Sequence, residues 1–277
     1  MIRTERLIKP SGPAVARTTK VVAKNGDREQ AHVTVFVDNA IRSTIVTPRF
    51  ADAVDRKERT VASNCLVAEC VKVAAEAGGR YIEATPSSRM PRVEDWKSAL
   101  ADNGFRFVAE KVVLTSTSSA GSVSRCSHFE FVPGAILPVV ELQKVYTQCQ
   151  YNTFDRADID DLIDLDTNFE ELLKAETGCD GISYSWAILS NGRPVGLAFL
   201  EFQESTAWVS YIGIIPDKRR QGAGTSLLSF VIGEASRQGI EVVKSLIDVD
   251  NRPSIEMFRR CGFVRAPGTY YVYRRRL

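Results

Sequence analysis

Between residues 207 and 235 the chain passes from an extended apolar stretch, through a basic turn with two glycines, into a helix with one apolar face. Residues 207–215 are rich in β-formers. Leu227, Leu228, Val231, Ile232 and Ala235 recur at helical spacing. The turn between them reads Asp217, Lys218, Arg219, Arg220, Gln221, Gly222, Ala223, Gly224, Thr225. The first amides of a helix point outward without intrahelical partners, and the helix dipole adds partial positive charge there. Gly222 and Gly224 let an anion come close to the backbone. The cations at 218–220 add attraction, so the run has the physics of a pyrophosphate site. It lacks the Gly-Lys-Ser/Thr of a Walker loop and the glycine order of a dinucleotide fingerprint. A basic turn whose glycines only permit a tight strand-to-helix connection is the other reading of the same residues.

The rest of the chain alternates strand and helix signals, which points to an α/β fold. The first thirty residues read as a tail or an irregular leading strand. Residues 31–37 and 40–46 read as strands about a turn at Asp38-Asn39. Leu66, Cys70, Val73, Ala74 and Ala77 mark one helix face, ended by Gly78-Gly79. A strand at 81–84, a helix carrying Val93, Trp96 and Leu100, and a strand at 105–114 follow. Residues 133–138 hold the best linker signal, and 139–146 look extended. Residues 155–176 look helical, with a break near Asp166-Thr167-Asn168. Strands at 183–189 and 194–202 join through Asn191-Gly192, a strong hairpin signal. A strand at 241–249, a short helix at 253–261, and strands at 263–265 and 270–274 complete the pattern. Helix, glycine, strand, helix and Gly-Phe recur in both halves, with Gly79 and Gly104 in the first and Gly239 and Gly262 in the second. This suggests an internal duplication, with domains 1–136 and 137–277.

Composition narrows the function classes. The net charge of +2 gives no nucleic-acid footprint. No run of apolar residues is long enough for a membrane span, and the charged start is unlike a secretory signal. None of the six cysteines forms a C-x-x-C pair, so free thiols in a cytoplasmic setting are expected. The two histidines, His32 and His128, build no metal cluster, so no metal is expected. The C-terminal half has no histidine, which excludes a histidine-based triad there.

Arg219, Gly222 and Gly224, with Ile214-Ile215-Pro216 just before them, resemble the first signature of the GNAT superfamily of N-acetyltransferases, [RQ]-x-x-G-x-[GA] after a strand. Asn251, Ser254, Gly262 and Phe263 match a second signature, an Asn opening a short helix that ends in Gly-Phe. The resemblance covers residues 150–277. It implies two GNAT-like domains, each a mixed, largely antiparallel sheet flanked by helices, with a degenerate first copy that lacks the phosphate loop. It implies acetyl-CoA as co-substrate and transfer of its acetyl group to an amine by direct attack in a ternary complex. The backbone of Ile212, Gly213 and Ile214 would pair with the pantetheine arm. Arg219, Arg220, Gln221, Gly222, Ala223, Gly224 and Thr225 would form the pyrophosphate loop. Asn251 would reach the same ligand, or serve as a simple helix N-cap.

One departure stands out. Where many members carry a proton-donating Tyr seven residues after the Asn, this chain has Phe258. A phenyl ring donates no proton, which brings in a second reading, a non-catalytic acyl-CoA-binding or sensor protein. For catalysis Tyr211, Asp248 and Glu201 are the candidates, being near strand ends that flank the expected splay. Tyr211, Tyr270 and Tyr271 are alternative proton donors. Residues 155–180 hold ten acids, among them Asp158, Asp161, Glu176 and Asp180, against Arg156 and Lys174. A small-molecule or peptide amine acceptor of cationic character would suit such a rim, and a merely solvated helix face is the plainer account.

Overall fold

The computed structural model describes residues 2–9, 17–37, 42–46, 48–51, 54–117, 129–160, 163–177, 184–203 and 205–277, with residues 8, 9, 17, 171 and 174–177 described by backbone alone. The turn expected at Asp38-Asn39 lies outside these residues, as do Cys126, His128, Asp161, Cys179 and Asp180. Two compact units divide the chain, Met1–Glu110 with Gly268–Leu277, and Lys111–Pro267.

In the first unit the leading residues form strands rather than a tail: β1 (Ile2–Lys9), β2 (Arg17–Asn25) and β3 (Arg28–Val37). Ala31, Val33 and Val35 of β3 are buried and alternate with half-buried residues, the period of a strand with one covered face, whereas in β2 Val21, Val22 and Ala23 are buried in a row. β4 (Arg42–Ile45), β5 (Arg49–Phe50), α1 (Arg56–Glu76), β6 (Tyr81–Ala84), α2 (Val93–Asp102) and the start of β7 (Arg106–Thr117) follow. The strands run β1-β2-β3-β4-β6, and Tyr273–Arg276 pair with β6. All described pairings here are antiparallel except β4 with β6, which pair in parallel over Arg42↔Tyr81 to Ile45↔Ala84. Leu66, Val67, Cys70 and Ala74 of α1 are fully buried in the same core as β2 and β3.

The second unit contains β8 (Glu130–Pro133), α3 (Val139–Gln150), α4 (Leu165–Thr177), β9 (Ser185–Ser190), β10 (Arg193–Gln203), β11 (Thr206–Ile214), α5 (Ala223–Arg237), β12 (Val242–Asp248), α6 (Arg252–Arg260) and most of the first half of β13 (Val264–Arg276). The linker expected at 133–138 is instead the end of β8 and a 3-10 turn, Gly134–Ile136. Gly134 is packed so closely on Ser185 that a Cβ would overlap its hydroxyl. Residues 139–146 are helical, not extended. Val139 and Val140 suggest a strand, yet both are exposed, while Leu142, Val145, Tyr146 and Cys149 fall on one buried helix face. The helix expected over 155–176 begins only at Leu165, and Asp166-Thr167-Asn168 form its first turn rather than a break. The strands run β7-β12-β11-β10-β9-β8, antiparallel except β11 with β12. Both faces of this sheet are covered. Trp186, Ile188, Ala198 and Leu200 pack with α5, while Ala187, Leu189, Leu197 and Phe199 pack with α3 and α4. Burial on both faces makes β9 and β10 continuous apolar runs. Among the described residues no helix is long and apolar enough to cross a membrane.

Candidate functional site

The parallel partners β11 and β12 pair over Thr206↔Val242, Ala207↔Val243 and Trp208↔Lys244, and no described pair lies beyond. Past that point β11 follows β10 out to Gly196↔Ile214, and β12 follows β7 out to Asp248↔Lys111. The two strands thereby form a fork. Its closed end is bridged by the Ser245 hydroxyl, which donates to the Val209 carbonyl at 3.0 Å. At the same level the β10–β11 register slips between Phe199↔Tyr211 and Leu200↔Val209, leaving Ser210 as an extra residue. Such a bulge increases strand twist, which helps β11 part from β12. A cleft of about 490 Å³ opens along the fork.

The open end of the fork leads into the start of α5. Pro216–Lys218 make a 3-10 turn, and then Arg220 (φ 63) and Gly222 (φ 83) both take the left-handed conformation. Alternating backbone handedness of this kind turns successive N–H groups to one side and makes an anion-binding concavity. Gly222 is the N-cap of α5, no side chain caps the helix, and its first turn holds no acid. The second glycine of the run has a different reason. A Cβ at Gly224 would lie 2.7 Å from the Met257 sulfur, so its absence lets α5 and α6 approach closely.

Tyr211, Ile212, Gly213, Ile214, Arg219, Arg220, Gly222, Gly224, Thr225, Asn251 and Phe258 all line this cleft. Gln221, Ala223, Glu201 and Asp248 are among the residues singled out in the sequence that do not. Gln221 donates its side-chain amide to Asp217 O at 2.8 Å, and Ala223 is buried in the core beneath α5. Glu201 lies on β10 opposite Trp208, on the far side of the bulge. Asp248 is fully buried, and its carboxylate accepts the backbone N–H groups of Arg156 and Asp250, each at 2.9 Å. Burial pushes the Asp248 pKa up while those two hydrogen bonds oppose the rise.

The lining residues differ in how they are held. Asn251 caps α6, its side-chain oxygen accepting Ser254 N–H at 3.2 Å. Phe258 is 1% exposed and meets Phe263 edge-on, with ring centroids 4.8 Å apart. Tyr211 packs against Tyr146 and Phe199, and Gln150 donates to its hydroxyl at 3.4 Å. Burial raises the Tyr211 pKa well above that of a free phenol, and its neighbours Cys149, Tyr146 and Asp158 add to the rise. It therefore keeps its proton at neutral pH. Cys149 beside it is pushed up to about 12 by burial, so its thiol is inert. Tyr270 and Tyr271 belong to the first unit and do not line the cleft.

Several lining residues were invisible as site residues in the sequence: Cys149, Gln150, Phe154 and Ser245. Asp158, which the sequence offered only as one of ten acids, also lines the cleft. The misread α3 explains the first two, because an extended segment there would not carry them to β11.

Residues 140–263 match the acetyltransferase (GNAT) family. A stretch of 74 residues is 28% identical to a mycothiol acetyltransferase of Clavibacter michiganensis subsp. michiganensis, covering 27% of this chain and 24% of that protein. The chain thus matches about a quarter of that relative's length. An uncharacterized N-acetyltransferase of Methanocaldococcus jannaschii is 27% identical over 175 residues, which is 53% of this chain and 74% of that one. In fold, a tandem GNAT protein from the clavulanic acid biosynthesis pathway superposes with a TM-score of 0.63 at 15% identity, over 96% of this chain and 84% of that one. The family match and these relatives support acyl transfer in general, and residues 140–263 are similar to GNAT acetyltransferases.

Proposed function

We propose that the second unit moves the acetyl group of acetyl-CoA to an amine in a ternary complex, and that the first unit is a degenerate copy that binds no cofactor. The observation that carries this reading is the fork between β11 and β12, which ends on an uncapped helix start with no acid in its first turn. The fork and the loop fit CoA. From Val209 to Ile214 the exposed edge of β11 spans five residue steps, roughly 17 Å at strand spacing. That suits an extended pantetheine arm whose phosphates rest on Arg220, Gly222 and the first amides of α5. The thioester then lies at the closed end, near Ser210 and Ser245. It supplies an activated carbonyl with a good leaving group.

The residues at that end do the rest. The amine nitrogen attacks the carbonyl carbon, a C–N bond forms, the C–S bond breaks, and the sulfur leaves as thiolate. The bulge at Ser210 frees backbone N–H groups to hold the carbonyl oxygen as charge develops on it. Tyr211, held protonated, is the donor to the thiolate. Asp158, whose charge acts on Tyr211, is the carboxylate that takes the amine proton or holds a cationic acceptor. Positioning carries most of the rate.

A second reading keeps CoA and drops the chemistry: a non-catalytic acyl-CoA-binding protein. Phe258, buried and without a hydroxyl at the position of the family's tyrosine, favours it. One measurement separates the two. Acetyl-CoA should raise the thermal midpoint of the intact chain in either case. Thiol release from acetyl-CoA across a panel of mono- and polyamines occurs only if the site is catalytic. No thermal shift would sink both readings.

A further inference from the structure

The matching arginine of the first signature does something the motif does not announce. Arg219 follows the 3-10 turn at the mouth of the phosphate loop, and its guanidinium points back across the fold. Nε donates to Ile214 O at 2.8 Å, at the end of β11. The two terminal nitrogens donate to Cys149 O at 2.8 Å, Tyr151 O at 2.9 Å and Asn152 O at 2.9 Å. Four hydrogen bonds use four of the five donors that a guanidinium has. Three of the acceptors are carbonyls at the C-terminal end of α3, where a cation is favoured by the helix dipole and by otherwise unpaired carbonyls.

The segment so gripped is one wall of the cleft. Cys149, Gln150, Phe154 and Asp158 line it, yet residues 151–160 have no regular helix or strand to hold them. A second set of ties fastens the same segment further along. Asp248 accepts the Arg156 N–H, Arg156 pairs with Asp250 at 2.7 Å, and Lys111 pairs with Asp155 at 3.1 Å. The wall is therefore an irregular stretch suspended between the phosphate loop at one end and the tip of β12 at the other. Because Arg219 adjoins Arg220 and Gly222, whatever fixes the loop backbone fixes the root of the Arg219 side chain as well.

We propose that Arg219 is a positioning residue that couples the phosphate loop to the 149–158 wall, so that CoA bound at the loop orders the side of the cleft where the amine sits. This rests on the CoA reading given above. It also gives Asp248 a role different from base: the second anchor of the same wall.

Hydrogen–deuterium exchange on the full chain, with CoA as the probe, tests it. In the wild type, CoA should slow exchange at 220–228 and also, by about threefold or more, at 149–158. In Arg219→Gln the slowing at 220–228 should persist while that at 149–158 disappears, and the ligand-free wall should exchange faster than in wild type. Arg219→Lys, which keeps the charge but not the fork of donors, should fall between. The coupling is overturned if CoA still slows the wall in Arg219→Gln, or if that variant loses the slowing at the loop, which would make Arg219 a phosphate ligand. Wild-type slowing at the loop without slowing at the wall also overturns it and leaves CoA binding intact. No slowing anywhere in the wild type overturns the CoA reading itself.

Discussion

Both units contain a strand that leads into a long helix and pairs in parallel with the strand after that helix, but the two helix starts are finished in opposite ways. In the first unit the chain runs from β4 through the two-residue β5 to α1. The N-cap is Asp55, whose carboxylate accepts Glu58 N–H at 2.8 Å, and Glu58 adds a second acid in the first turn. In the second unit the junction runs from β11 to α5. There the N-cap is Gly222, no side chain caps the helix, and its first turn holds no acid. The parallel pairs differ in the same sense. β4 and β6 stay paired along all four residues of each, whereas β11 and β12 part after three. A helix start wants a negative partner. The first unit carries its own, while the second presents the same amides, bare, at the end of an open fork. The difference teaches that the two helix starts are set apart by one capping carboxylate and one strand separation, not by the overall architecture.

The strongest way to break the comparison is to give α5 the cap that α1 has. Gly222→Asp puts a carboxylate on the bare amides, where it competes with and repels a bound phosphate. CoA binding should weaken about 100-fold or more, near ~2.7 kcal/mol. The left-handed backbone at Gly222 strains any side chain by about 1 kcal/mol, so Gly222→Asn is the control. It tolerates that backbone similarly and carries no charge. Titration calorimetry should find the Asn variant much nearer to wild type. Equal losses in the two variants would mean that shape, not charge, makes the site.

Gly224→Ala probes the second glycine, which the structure ties to packing. The new Cβ meets the Met257 sulfur at 2.7 Å and pushes that side chain toward the cleft it lines. A loss of about 1–2 kcal/mol in stability is expected from overpacking, with CoA affinity down by roughly tenfold. Adding Met257→Ala should restore the affinity. Failure of that rescue would assign Gly224 to the ligand rather than to α6.

The converse change removes the cap from the first unit. Asp55→Ala should cost about 1 kcal/mol, the usual worth of an N-cap, read as a lower thermal midpoint. It should leave CoA stoichiometry at about one per chain, because β4 and β6 still close the place where a fork would have to open. Two CoA per chain, in this variant or in the wild type, would contradict the view of the first unit as a copy without a site.

What the sequence made legible was local. The strand, the glycine turn, the helix after it, the Asn191-Gly192 hairpin and the Asn251 cap depend on residues a few positions apart, and each stands where its neighbours put it. Both Asn191 (φ 52) and Gly192 (φ 71) take the positive dihedrals that a two-residue hairpin demands. What stayed hidden depends on distant partners. α3 carries β-branched residues at its exposed start, so propensity argued for a strand until burial of Leu142, Val145, Tyr146 and Cys149 decided otherwise. Arg219 looked like a phosphate ligand because the carbonyls it grips lie about seventy positions away. Asp248 looked like a base because a strand-end acid gives no hint that two backbone amides will meet it.

The smallest expected effect belongs to Phe258→Tyr, which asks whether the second unit lacks a proton donor at this position. The ring is 1% exposed, lies edge-on to Phe263, and also borders the cleft. A hydroxyl added there meets one of two fates. If it reaches the cleft, it can donate to the departing thiolate. General acid help is often worth about 10²–10⁴-fold, but a thiolate leaves readily, so a gain of about tenfold is the most expected. If it stays in the apolar shell, it is a buried group without a partner and should lower stability by about 1–3 kcal/mol. Thermal midpoint and amine-dependent thiol release, measured together across pH, tell these apart. Tyr211→Phe is the companion variant. Tyr211 sits at the closed end of the fork with its phenol held protonated by burial, so losing that hydroxyl should slow turnover if it is the donor. A rate unchanged in Tyr211→Phe and unchanged in Phe258→Tyr would leave water as the proton source, with both rings serving as walls of the pantetheine channel.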